Sequence, residues 1–307
     1  MKKALLIHPE ELNEKWIHRA KSLGVNTLAI HPWGGKKAPQ TLAALLEQLR
    51  DPAYRQLLDQ AAESGLEIEY EFHAASYLLP RILFRSHPEY FRMNREGQRT
   101  PDCNLCFSNP EALAILASQA AQLRPQLYRS SHHYYFWLDD SKDAFCHCPK
   151  CKHLSPADQQ LIALNAMITA IRKDVPDAKL AHLAYFETEQ PPLSVQPAEG
   201  IFLEYAPMSR DMAKPVASSP AEALAVIPKL LDYFGKKDAR LLEYWFDNSM
   251  YSRWQKPPVA FYPNNDMIRQ DITFYTDAGF ENIRSFACFL GADYEELHGE
   301  PDLSAFK

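Results

Sequence analysis

Five of the six cysteines fall in two short stretches, Cys103-Asn104-Leu105-Cys106 and Cys146-His147-Cys148-Pro149-Lys150-Cys151, the second reading C-x-C-x2-C. Thiolates spaced this closely wrap a soft metal ion tetrahedrally, and a closed structural zinc site needs four ligands. Cys146, Cys148 and Cys151 supply three, so Cys106 or Cys103 supplies the fourth. Unligated loop thiols are the plain alternative. Redox catalysis by the Cys103–Cys106 pair fits less well, because that motif does not open a helix after a strand. A catalytic zinc would keep an open position and recruit histidine or carboxylate, so four thiolates imply a structural Zn2+ that pins two loops together.

Carboxylates form the second signal. Asp139-Asp140, Glu187, Glu204, Glu243 and Asp247 lie in or just beyond short apolar runs. Two carboxyls facing each other across a cleft are what glycosidic cleavage needs, one as proton donor and one as nucleophile or base. Acidic residues at such positions also anchor loops and cap helices. Aromatic residues form the third signal: Trp33, Tyr134, Tyr135, Trp137, Tyr185, Tyr205, Tyr244 and Trp245 lie in or just after the same runs. Sugar rings offer apolar C–H faces that stack on aromatic rings, with hydroxyls left for polar neighbours. We therefore expect Trp33, Tyr185, Tyr244 and Trp245, with His73 and Glu204, to bind substrate. Adjacent strand residues point to opposite sides, so Tyr134 and Tyr135 cannot both line one pocket. His182 reads as a hydrogen-bonded core residue.

The elements that must position these groups alternate. Apolar runs rich in aromatic or β-branched residues read as strands near Ala4–His8, Thr27–Pro32, Glu67–His73, Tyr134–Asp139, Leu180–Tyr185, Ile201–Tyr205, Leu241–Trp245 and Ile283–Phe286. Helices are expected over Glu11–Leu23, Thr41–Ser64, Pro110–Leu123, Pro156–Lys173, Pro220–Phe234 and Asn265–Ala278, with a weak or missing one between strands five and six. Prolines just after a possible cap, as in Asn109-Pro110 and Ser155-Pro156, mark starts, and Gly65, Gly235 and Gly279 mark ends. Eight βα units over 307 residues predict a single-domain (β/α)8 barrel, with a doubly wound sheet as the alternative. The two long connections, Ala74 to Asn109 and Asp140 to Ser155, both follow a strand, placing them on the face where barrels build active sites.

Composition narrows the partners. Lys+Arg 33 against Asp+Glu 39 gives a net charge of −6, with no run of five like charges, which argues against a nucleic-acid or anionic-membrane partner. The ten glycines form no GxGxxG or GxxxxGK[ST], so no nucleotide cofactor is expected. No stretch has the length of a membrane span, and Ala4-Leu5-Leu6-Ile7 is too short for a signal-peptide core. With Met1 as the native start, the expected location is cytoplasmic, where thiols stay reduced or bind metal.

Taken in order, His87-Pro88-Glu89-Tyr90-Phe91, Gly97 with Arg99, Leu105-Cys106-Phe107-Ser108-Asn109-Pro110-Glu111, Phe145–Cys151, and Leu183-Ala184-Tyr185 with Pro191-Pro192 form one pattern. It resembles the bacterial domain-of-unknown-function family 4838, a glycoside-hydrolase-like barrel family, over roughly residues 65 to 290. Where that family carries Asn-Asp before the cysteine triplet, this chain carries Asp139-Asp140. The cysteine arrangement, with Cys106 40 positions before Cys146, is also similar to the structural zinc site of family 42 β-galactosidases, which favours Cys106 as fourth ligand.

The resemblance implies glycosidic hydrolysis on a carbohydrate. Related barrels take their two carboxyls from strands four and seven, which gives Asp140 as general acid and Glu243 as nucleophile or base. The pKa of Asp140 would be raised by burial and by the charge of Asp139. Asp139 would orient the acid or a substrate substituent, as adjacent carboxylates do in substrate-assisted hexosaminidases. The competing expectation is a barrel that binds carbohydrate without cleaving it. A metal-dependent amidohydrolase ranks last, since it needs His-x-His near strand one and only His8 stands there.

Overall fold

Runs such as Leu5-Leu6-Ile7 and Leu28-Ala29-Ile30 are apolar on both faces and fully buried, as strands must be when helices cover one side and a barrel interior the other. The computed structural model describes residues 1–307. Its strands are β1 (Lys2–Ile7), β2 (Thr27–Ile30), β3 (Glu67–His73), β4 (His133–Trp137), β5 (Lys179–Ala184), β6 (Ile201–Tyr205), β7 (Arg240–Glu243) and β8 (Asn282–Phe286). They close in chain order into a parallel barrel. β1 pairs with β2 through Leu6 and Ala29 and with β8 through Leu6 and Phe286, which excludes the open sheet.

The helices are α1 (Glu14–Ser22), α2 (Ala38–Gln48), α3 (Pro52–Glu63), α4 (Ala75–Leu78), α5 (Pro110–Leu123), α6 (Pro156–Ile171), α7 (Ala221–Leu224), α8 (Val226–Phe234), α9 (Asn248–Tyr251), α10 (Asn265–Ala278) and α11 (Ala292–His298). Capping set the ends that the sequence made plain: Asn109 accepts from the Glu111 and Ala112 amides, and Gly279 takes φ +115° after α10. Two expected helices are broken. Thr41–Ser64 is α2 and α3, because Pro52 bars Asp51 from helical backbone and starts a new helix instead. Pro220–Phe234 is α7 and α8, because the ring of Pro228 would meet the carbonyl of Leu224 four residues earlier. Between β5 and β6 there is only a 3-10 turn, Phe186–Thr188.

The chain divides into two compact units, one of residues 1–31, 52–69 and 203–307, the other of residues 32–51 and 70–202. Within the first, side chains show which face of each strand looks inward. Arg240 on β7 donates to both oxygens of Glu69 on β3, at 3.0 and 2.8 Å. Arg284 on β8 donates to the same carboxylate at 2.8 Å and lies 3.8 Å from Glu204 on β6. Side chains from β3, β6, β7 and β8 meet only inside a barrel. Arg240 and Leu242 therefore face inward, and Leu241 and Glu243 face the helices. The cluster also corrects Glu204: it is fully buried beside Arg284 instead of reaching a substrate.

Candidate functional site

In the second unit the chemistry gathers just beyond β4. Asp139 is held by three donors: the Ser76 amide (3.0 Å), the Ser76 hydroxyl and the Asn104 amide (2.7 Å). Its own amide donates to Asn104 Oδ1 at 2.9 Å. A carboxylate has about four acceptor positions, so one remains open. Asp140, the next residue, is exposed, and Tyr185 beyond β5 donates to it at 3.5 Å. Burial, and then the negative charge of Asp140, push the Tyr185 hydroxyl well above its ordinary range, so it stays a donor. The expected burial of Asp140 is absent, because it follows the turn out of β4 into solvent.

His73 ends β3 with Nδ1 donating to the Leu138 carbonyl, which fixes that nitrogen as the protonated one, and it packs edge-on to buried Trp137. Trp33 is half-buried, and its carbonyl accepts from Thr41. Next to it Gly34 passes so close to His73 that a Cβ there would stand 2.9 Å from the imidazole, which explains the glycine.

The two cysteine stretches meet. Sγ atoms of Cys106, Cys146, Cys148 and Cys151 all lie within 4.8 Å of one another, every one buried, with Cys106 and Cys148 3.7 Å apart. A zinc–sulfur bond of about 2.3 Å sets tetrahedral sulfur separations near about 3.8 Å, so the donor set fits such an ion. Cys103 lies outside the cluster, beside Arg92 and Asp102, and burial pushes its thiol up to about 11. Donors point at the sulfur of Cys146, the Met93 amide at 3.4 Å and Arg99 at 3.8 Å, contacts that would support a thiolate bound to a metal. Gln159 on α6 holds the loop by accepting from the Cys146 amide at 2.9 Å and donating to the Cys146 and Cys151 carbonyls. Such outer partners orient the ligands of a metal site.

Glu243 and Trp245, in the first unit, point elsewhere than expected. Glu243 is fully buried facing α10, where Tyr275 donates to it at 2.8 Å and Arg210 at 2.9 Å. Arg210 also donates to Asp271, which accepts from the Trp245 indole at 3.0 Å. Burial raises the Glu243 carboxyl against the opposing pull of Arg210. Neither residue faces the barrel interior; both tie β7 to α10. Glu243→Gln leaves Arg210 half-paired in the core, and we expect a loss of about 3–5 kcal/mol in urea unfolding. An unchanged midpoint would show the network to be dispensable.

Tyr244 faces inward and stacks on Phe286, ring centroids 5.1 Å apart. It also lines a cavity of about 520 Å3, together with Trp245, Phe261, Tyr262, Met267, Arg210 and Glu243. His8, weighed in the sequence only as a metal ligand, and His31 lie just beyond β1 and β2: His8 Nδ1 donates to the His31 carbonyl at 2.7 Å, and burial lowers the His8 pKa. The repeated Ile7-His8-Pro9 and Ile30-His31-Pro32 was the available signal.

Solved structures share this fold. An O-GlcNAc hydrolase mutant from Thermobaculum terrenum superposes with a TM-score of 0.55 at 11% identity, covering 94% of this chain and 55% of its own. A GH20 module of the pneumococcal exo-β-D-N-acetylglucosaminidase StrH gives 0.51 at 10% identity, covering 99% and 82%. A β-galactosidase from Marinomonas ef1 gives 0.49 at 11%, covering 93% and 54%. This chain thus spans about half the length of the first and third. At these identities the likeness is one of fold. No curated protein sequence matches the chain. No helix is long and apolar enough to cross a membrane. The model of a domain of unknown function, DUF4838, matches residues 46–298, and the chain therefore belongs to the DUF4838 family.

Proposed function

We propose that this barrel hydrolyses 2-acetamido-2-deoxy-β-glycosides, with the substrate's own acetamide as nucleophile. The observation that carries the reading is the adjacent pair beyond β4: Asp139 locked by three donors with one acceptor position left, and Asp140 exposed beside the Tyr185 hydroxyl. With Glu243 turned toward α10, the expected pairing of Asp140 with Glu243 loses its second carboxyl, whereas substrate assistance needs none at β7. Two of the structures reported above, superposing at TM-scores of 0.55 and 0.51, are by name enzymes of N-acetylglucosaminides, which agrees with that chemistry.

In the first step the acetamide oxygen attacks C1 as the C1–O bond breaks, and Asp140 passes its proton to the leaving oxygen. Asp139 Oδ1 accepts the acetamide N–H and so directs the oxygen inward. In the second, Asp140 takes a proton from water, which attacks C1 and opens the oxazolinium ring. We assign zinc to the four thiolates, since a tetrahedral sulfur set selects zinc or iron–sulfur and the site is closed. The ion would cross-link the loops after β3 and β4 and take no part in the reaction.

The test compares 4-nitrophenyl N-acetyl-β-D-glucosaminide with 4-nitrophenyl β-D-glucoside, which lacks the acetamide. Turnover of the first alone, inhibited by a stable thiazoline mimic of the ring, is expected. Equal turnover of both removes the assisted mechanism. Saturable binding without turnover favours the second reading, a carbohydrate-binding barrel, for which the buried Glu243 and the aromatic cavity beside Tyr244 speak.

A further inference from the structure

Asn104 stands two residues before Cys106, is fully buried, and holds a left-handed backbone at φ +45°. Among residues with a side chain asparagine tolerates that region best, yet it is a costly place for a merely adequate residue. Every polar atom it owns is used. Its amide donates to Asp139 Oδ2 at 2.7 Å and its Oδ1 accepts from the Asp139 amide at 2.9 Å, a two-way clamp. Its Nδ2 donates to the Ala144 carbonyl at 3.1 Å, two residues before Cys146. Its carbonyl accepts from Arg81 at 2.7 Å, and the charge of Arg81 is in turn coupled to Asp139.

One side chain thus touches the segment leading to the Cys146 ligand, lies two residues from the Cys106 ligand, and grips the backbone just before Asp140. We propose that Asn104 is a positioning residue through which closure of the thiolate cluster around its metal sets the chain that carries Asp140. The geometric part rests on contacts alone; its catalytic consequence rests on the reading of Asp140 as general acid. A metal bound across Cys106 and Cys146 would hold in place the two segments that Asn104 joins, and so favour the closed clamp on Asp139. Coupling of this kind is reciprocal, so loss of the clamp must weaken metal binding as well.

Asn104→Gly removes the Oδ1 and Nδ2 contacts, keeps the backbone amide that reaches Asp139 Oδ2, and accepts the left-handed backbone without strain, so it isolates the side-chain half of the clamp from the conformation. Full-length protein, with and without added zinc sulfate, would be followed by hydrogen exchange of peptides covering residues 138–143, and zinc affinity by competition with a chromophoric chelator. In the unaltered chain, zinc should protect the Asp139 amide and its removal should expose it. In N104G the amide should exchange fast in both states, and zinc affinity should fall about 10–100-fold, the usual size of an outer-shell loss. Protection that ignores zinc in the unaltered chain, or zinc-dependent protection that survives in N104G, overturns the proposal. Neither readout needs turnover, so failure of the Asp140 reading would leave this result to stand or fall alone. Where turnover is present, N104G should lower kcat with KM nearly unchanged.

Discussion

Adding zinc to the metal-free protein should raise its unfolding free energy by about 1.4 kcal/mol for every tenfold rise in free ion beyond the dissociation constant, reaching about 4 kcal/mol at a thousandfold excess. The reason is that four buried sulfurs within 4.8 Å of one another come from segments 40 positions apart in the chain, and only the folded state brings them together. Cys106→Ser should abolish the dependence, because it replaces the one ligand that the loop after β3 contributes. Cys103→Ser should leave it intact, since that thiol lies outside the cluster. The effect should weaken as pH falls, because protons compete with the metal for the thiolates; the sign is fixed by the ligands having to deprotonate. Urea unfolding across a zinc titration at two pH values measures all of this. A midpoint that does not move with zinc would leave four ordinary buried thiols.

The barrel was readable because its signals are local. A proline after an asparagine or serine cap marks a start, a glycine at positive φ marks an end, and both lie within a few residues of what they control. Which cysteine joins the triplet was narrowed by likeness, and geometry places Cys106 in the cluster; Cys103 and Cys106 are three residues apart, so spacing serves either. The side to which Glu243 points was not readable at all. In Arg240-Leu241-Leu242-Glu243-Tyr244-Trp245 both alternating sets hold a charge and a large apolar group, so the period of two has no visible phase. The phase comes from Arg240 meeting Glu69, 171 positions away, in a buried ion cluster that in sequence looks like surface charge. Arg210 was missed for the same reason: its partners Glu243 and Asp271 are 33 and 61 positions off, and its own stretch has no periodic pattern. The clamp of Asn104 on Asp139 spans 35 positions and is likewise a property of the fold.

Asp140→Asn should lower kcat on an unactivated N-acetylglucosaminide by about 100- to 10,000-fold, the range that a positioned general acid supplies. The change keeps the size and the hydrogen-bonding reach of the side chain toward Tyr185, and the residue is exposed, so the fold should not suffer. The loss should shrink on the 4-nitrophenyl glycoside, whose leaving group departs without a proton; a defect in binding or folding would depress both substrates alike. Asp139→Asn makes a different failure. An amide nitrogen placed where Asp139 now accepts from Ser76 or Asn104 would set donor against donor, so we expect lost turnover with lowered stability. Glu243→Gln completes the comparison: once corrected for the folded fraction, its turnover should match the unaltered protein, because its carboxylate answers to Arg210 and Tyr275. If instead Glu243→Gln stops turnover in fully folded protein while Asp140→Asn does not, the acid lies beside the cavity of β7, and the assignment beyond β4 fails.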